Sequence, residues 1–143
     1  MLNSVKDYVK IEKLGTEKNP KGLEQDGKGY RIYKKDALTV LYHNGEPMRF
    51  LGYIEFVPEE TRGDHYHKEK YENMCVVSGE IKAKYLLPEN PDDVLEVVLL
   101  PGDIVRIIPG CAHSYLSDTG AVALEFSPQK FETSDTIDHE FAW

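Results

Sequence analysis

Four side chains able to hold a divalent metal ion stand out by type and spacing: His65, His67, Glu72 and His113. The first two lie in the run Arg62-Gly63-Asp64-His65-Tyr66-His67. On an extended strand successive side chains face opposite ways, so His65 and His67 share a face with Cα atoms roughly 6.6 Å apart, and Tyr66 points away. Lys68-Glu69-Lys70 reads as a solvated turn, after which Glu72 opens a second extended run to Gly79 that brings a carboxylate back towards the two imidazoles. His113 follows the turn Pro109-Gly110 and leads into the β-prone Ser114-Tyr115-Leu116. Three imidazoles and one carboxylate suit one divalent ion, with zinc, iron, manganese and nickel not distinguished.

The elements that must position these residues are short strands. Asp7–Glu12 reads as a strand, 15–29 as a polar loop, and Tyr30–Tyr33 with Ala37–Tyr42 as two strands, the second followed by the tight-turn pair Asn44-Gly45 with His43 exposed beside it. Met48–Val57 places Phe50, Ile54 and Phe56 on one face and Tyr53 and Glu55 on the other. Strands are then expected over Glu72–Gly79, Glu80–Leu87, Val94–Leu100, Ile104–Ile108 and Ala121–Phe126, with a loop over Pro88–Asp93. No helix-length amphipathic run interrupts them, so the pattern is that of an all-β sandwich or barrel.

With 143 residues the chain suits one domain, 1–143, with 1–29 as an N-terminal strand and loop extension and 128–143 as a C-terminal tail. A net charge of −8 argues against a nucleic-acid partner, which requires clustered Lys and Arg. An apolar run of the ~18 residues that cross a bilayer is absent, and the start of the chain carries no signal-peptide pattern, so a cytoplasmic protein is expected. Cys75 and Cys111 make no disulfide framework and are expected to pack structurally, although Cys111 lies two residues from His113. His139 in the polar tail is a candidate to cover the barrel mouth or a partner chain, with no function assigned to it.

The spacing His-x-His, four residues, Glu, six residues, Gly, followed by Gly102 and Pro109-Gly110-x-x-His113, resembles the two consecutive motifs of the cupin superfamily. That resemblance implies a double-stranded β-helix, the small jelly-roll barrel, with its site in the mouth, and a homodimer. The motif's usual leading Gly is replaced by Glu59, with Gly63 nearby to turn the chain. Arg62–His67 also resembles the Arg-Gly-x-His-aromatic-Gln signature of the dTDP-4-dehydrorhamnose 3,5-epimerases, and Ile108–Thr119 resembles a second stretch of that family. Asp26–Tyr30 is faintly similar to a third, with Lys28 where Arg is expected. In that family the arginine contacts the sugar nucleotide and the histidine is the general base, which implies those roles for Arg62 and His65. His67 replaces the family's Gln, and its proton-donating Tyr has no counterpart between Glu125 and Phe131. The Arg-Gly-x-His-Tyr-His signature is closer to the metal-containing cupin domain of capsular-polysaccharide enzymes, and the stretch Phe131–Phe141 resembles the tails of small ketoisomerase cupins.

These resemblances imply an epimerase or isomerase acting on a 4-keto nucleotide sugar in polysaccharide or deoxysugar biosynthesis. Removing a proton α to a ketone requires stabilisation of the enolate, which a divalent ion supplies as a Lewis acid. His65 serves as base only in a metal-free protein, because a ligating nitrogen has no lone pair to spare. With metal bound, Tyr53, Glu55 and Tyr115 are the candidate bases, and Arg62 pairs with a phosphate. Two other classes stay open: a metal-dependent dioxygenase of a small organic substrate, and a non-catalytic small-molecule-binding cupin.

Overall fold

Alternation of inward apolar and outward polar residues resolves into two five-stranded antiparallel sheets that face each other. The computed structural model describes residues 4–13 and 47–143, together with the backbone of 29–35 and 38–44. A 3-10 turn over Val5–Asp7 leads into β1 (Val9–Glu12). β2 (Gly29–Lys35) and β3 (Leu38–Asn44) pair with each other as a separate hairpin. Next come β4 (Phe50–Phe56), β5 (Thr61–His67), β6 (Glu72–Gly79) and β7 (Ile81–Leu87). β8 (Asn90–Leu99), β9 (Ile104–Ile107), β10 (Ala112–Leu116), β11 (Ala121–Ser127) and β12 (Thr136–Asp138) complete the series. The first sheet runs β1-β9-β6-β11-β4 and the second β12-β5-β10-β7-β8, the arrangement of a jelly-roll barrel.

The core lies between the sheets. Ile54, Phe56, Met74, Val76, Val105 and Ala123 from the first sheet meet Ile81, Ala83, Tyr85, Leu87 and Tyr115 from the second. Burying each of the larger apolar side chains contributes about 1.5–3 kcal/mol. Cys75, Ile104 and Phe126 alternate with these residues and form a small cluster on the other face of the first sheet. Burial pushes the Cys75 thiol up to about 11 and the Cys111 thiol up to about 12, so both are packing residues rather than thiolates.

Four expectations are corrected. The first strand begins at Val9, because Asp7 closes a capping box in which it accepts from the Ser4 N–H at 3.1 Å. The loop expected over Pro88–Asp93 shrinks to Pro88-Glu89: β8 starts at Asn90 and pairs back on Leu87. As the edge of its sheet, β8 tolerates Pro91, and Asp93 accepts from the Ser4 hydroxyl at 3.2 Å. Lys70 is not solvated but 2% exposed. The C-terminal tail contributes β12, which pairs with β5 in the register Thr136↔His67 and Asp138↔His65. The polar loop 15–28 with Lys28, the turn residue Gly45 and the side chain of His43 lie outside the described residues.

One irregularity decides what β5 presents. Gly63 and Asp64 have φ of +95° and +57°, and the β10 partner of His65 is His113 while that of Gly63 is Ser114. Asp64 is therefore the extra residue of a β-bulge, and it reverses the side-chain parity between Arg62 and His65. Arg62, three residues before His65, reaches the same cavity as the histidines. Asp64 is held there by Ser114 Oγ at 2.7 Å and Thr61 Oγ1 at 2.9 Å. Glu59, where the motif expects glycine, itself takes the left-handed conformation, with φ +66°.

A Cβ on Gly63 would lie 2.8 Å from the His113 carbonyl oxygen in a backbone conformation that L residues avoid. Gly63→Ala is expected to destabilise the protein by about 1–3 kcal/mol, read as a lower denaturant midpoint. An unchanged midpoint would mean that the bulge is not constrained as described.

Candidate metal centre and substrate cavity

The four residues singled out by spacing converge from both sheets. His65 and His67 on β5 and His113 on β10 come from one sheet, and Glu72, the first residue of β6, comes from the other. One potential ligand atom from each lies within 4.8 Å of all the others. The ring centroids of His65 are 4.8 Å from those of both His67 and His113. Glu72, His67 and His113 are buried, and His65 is half-buried at the edge that meets the cavity.

The outer nitrogens are already engaged. His113 Nδ1 lies 3.2 Å from the Cys111 carbonyl oxygen, a contact it can make only by donating, so its Nε2 carries the inward lone pair. His67 Nδ1 faces Thr136 Oγ1 at 3.3 Å and Asp135 Oδ2 at 3.7 Å, both from the segment around β12. Its Nε2 is buried with no hydrogen-bond partner. Glu72 Oε2 likewise has no donor, although His113 Nε2 stands 2.8 Å away. Two lone pairs at that distance require a positive charge between them: a proton shared by the pair, or a metal ion. Neutral imidazoles held by outer partners, with orphaned inner acceptors, fit a divalent cation.

Lys70, absent from the sequence expectations, sits behind Glu72. Its Nζ is 3.1 Å from Glu72 Oε1, 3.8 Å from Glu125 Oε1 and 4.5 Å from the centre of the Phe50 ring. Burial opposes ionisation of Glu72, but the close approach of His113, with His67 and Lys70 behind it, outweighs it and holds the carboxyl well below its ordinary range. The ammonium thus occupies one carboxylate oxygen and leaves Oε2 for the cluster.

His65, Glu72 and His113 form the inner wall of a cavity of about 480 Å³, lined also by Arg62, Glu55, Tyr115, Glu125 and Phe131. This lies within the range of small-molecule sites and is enough for a sugar ring. The Arg62 side chain is 52% exposed at the rim and 3.7 Å from Glu125. Glu55 is exposed and meets the cavity at its mouth, whereas Tyr53, 65% exposed on the same outward face of β4, does not line it. The Tyr115 hydroxyl is 3.5 Å from that of Tyr85, and burial first, then Tyr85 and Glu72, push its phenol well above the ordinary value. His139 uses its backbone N–H on the Asp64 carbonyl at 2.8 Å and packs on Phe141, so it fastens the tail. Cys111 offers its carbonyl, not its thiol, to the site.

Glu125 was also missed, although a signal existed. It stands on β11 at the same parity as the inward Ala121 and Ala123, where an acid on a barrel strand is out of place unless used.

No protein-family model and no curated protein sequence matches the chain. Solved structures match it in shape. The sugar 3,4-ketoisomerase QdtA of Thermoanaerobacterium thermosaccharolyticum, in complex with TDP, is 18% identical over 91% of this chain and 87% of its own, with a TM-score of 0.66. The capsular polysaccharide assembling protein CapF of Staphylococcus aureus is 24% identical over 78% of this chain but only 34% of its own, with a TM-score of 0.59. The dTDP-6-deoxy-D-glucose-3,5-epimerase RmlC of Legionella pneumophila, in complex with dTDP-4-keto-L-rhamnose, is 13% identical over 76% of this chain and 69% of its own, with a TM-score of 0.60. Among the described residues no helix is long and apolar enough to cross a membrane.

Burial, then the charge of His113, pushes His65 down from 6.5 to about 4. The unfolded chain therefore binds the extra proton between those values, and the stability of metal-free protein falls as pH drops from about 6.5 to about 4. Glu72, whose folded carboxyl is depressed, adds a loss below about 4.5. Urea unfolding at stepped pH checks this: His65→Asn is expected to flatten the upper part of the slope, and an identical slope in that variant would contradict the assignment.

Proposed function

We propose that this chain, an RmlC-like cupin by fold, is a metal-binding isomerase or epimerase of a 4-keto nucleotide sugar. The observation that carries the reading is the union of a buried three-histidine, one-glutamate cluster with an exposed arginine at the rim of a sugar-sized cavity. Structural neighbours named as a ketoisomerase and an epimerase of such sugars support it.

His65, His67, Glu72 and His113 would hold the ion, which when bound supplies Lewis-acid polarisation of a ketone oxygen. The remaining residues bind and orient. Arg62, which among the described residues makes no hydrogen bond to a carboxylate, can grip a diphosphate through its planar fork, leaving the nucleotide over the rim and the sugar inside. Phe56 and Met74 in the wall, with Phe131 at the mouth, exclude water from the sugar's carbonyl face. Lys70 and the outer partners Thr136 and Asp135 hold Glu72 and His67 in place before substrate arrives.

The test is conversion of TDP-4-keto-6-deoxyglucose by metal-loaded protein, followed by NMR. Isomerised or epimerised product is expected, with Arg62→Ala raising KM about 10–100-fold, the equivalent of a lost charge-assisted hydrogen-bond pair. No conversion of any 4-keto nucleotide sugar, with oxygen consumed on a small diketone by the iron-loaded protein, would replace this reading by the dioxygenase one.

A further inference from the structure

We propose that Glu125 is the general base that removes the proton α to the substrate ketone. The assignment rests on the function proposed above and supplies the group which that function lacks, since a bound metal ion commits all three histidines.

The cavity wall leaves one residue for the task. Among its described acids, Glu55 and Glu60 are exposed at the mouth and Glu72 belongs to the cluster. The Tyr115 phenol holds its proton too firmly to act as a base near neutrality. Glu125 is 8% exposed, on the sheet opposite the histidines, so a sugar entering the cavity lies between the cluster and this carboxylate. Its two oxygens are flanked by Lys70 Nζ at 3.8 Å and Arg62 Nη2 at 3.7 Å, both beyond hydrogen-bond length. The two cations flank the carboxylate in a buried part of the wall, at distances that leave its lone pairs unoccupied. A carboxylate so placed is poised to accept a proton from carbon.

The step balances without an outside reagent. A Glu125 oxygen forms an O–H bond as the substrate's C–H bond breaks; that electron pair becomes the enolate double bond and the ketone π pair moves to oxygen. Returning the proton to carbon regenerates the carboxylate, and exchange with water while the proton is on Glu125 labels the substrate.

Solvent exchange separates the two claims. Metal-loaded wild type, Glu125→Gln and Glu125→Asp are incubated with TDP-4-keto-6-deoxyglucose in D2O, and deuterium at the carbon next to the ketone is followed by mass spectrometry, with metal content and the thermal midpoint measured on each sample. Exchange in wild type, slowed at least about 100-fold in Glu125→Gln with metal content retained, and intermediate in Glu125→Asp, is expected. Wild-type exchange rates in Glu125→Gln would overturn the role of Glu125 and leave the function standing. If the Gln variant fails to fold, unslowed exchange in Glu125→Asp overturns it equally. No exchange in wild type would remove the functional reading, and this assignment with it.

Discussion

A buried carboxylate from one sheet faces buried imidazole lone pairs from the other, and the rest of the site is arranged around that contact. Glu72 Oε2 and His113 Nε2 stand 2.8 Å apart, each an acceptor when His113 Nδ1 donates to the Cys111 carbonyl. Such a pair is repulsive unless a cation lies between, and Glu72 and His67 Nε2 are too deep for water to compensate freely. The barrel thus carries a demand for positive charge where its two sheets meet.

The neighbouring groups make sense in that light. Glu72 and Glu125 carry two negative charges, and Lys70 with Arg62 carries two positive ones. These four charges offset one another, and Glu55 and Glu60 add exposed acid at the mouth. β12 serves the same centre from behind: by pairing with β5 it sets Thr136 and Asp135 against His67 Nδ1, and Asp135 also accepts from the backbone N–H of Glu69 and Lys70 at 2.8 and 3.1 Å. Those two bonds fold the turn that drives Lys70 inward. The tail, the turn and the carboxylate behind it form one unit, and the bulge at Asp64 adds Arg62 to the same cavity.

The four clustered side chains and the barrel were legible in the sequence because both depend on local rules. Period-two alternation put His65 and His67 on one face, turn residues bounded nearly every strand, and the His-x-His, Glu and His113 spacing carried a family resemblance. What escaped depends on partners far along the chain. Lys70 looks solvated between Glu69 and Tyr71; only the ring of Phe50 and the carboxylates of Glu72 and Glu125 make its burial tolerable. β12 has a few ordinary polar residues and is a strand only because β5 offers an edge. Tyr53 and Glu55 were read correctly as sharing a face, but that face is the outside of the barrel, and Glu55 meets the cavity only at its mouth. Parity alone cannot say which side of a strand is the interior until a neighbouring strand is placed.

The central claim is that the cross-sheet cluster is a divalent metal site, and metal content tests it most directly. Protein purified without chelator or added metal, and the same protein after dialysis against excess zinc or manganese, is assayed by mass spectrometry beside His67→Ala and His113→Ala. The account predicts close to one ion per chain in the wild type and a loss of most of it in either variant, with wild type melting higher when loaded than after chelation. A wild type that takes up no ion under loading, or variants that retain a full complement, would contradict it: the charge between Glu72 and His113 would then be a proton, and His65 would be free to act as a base.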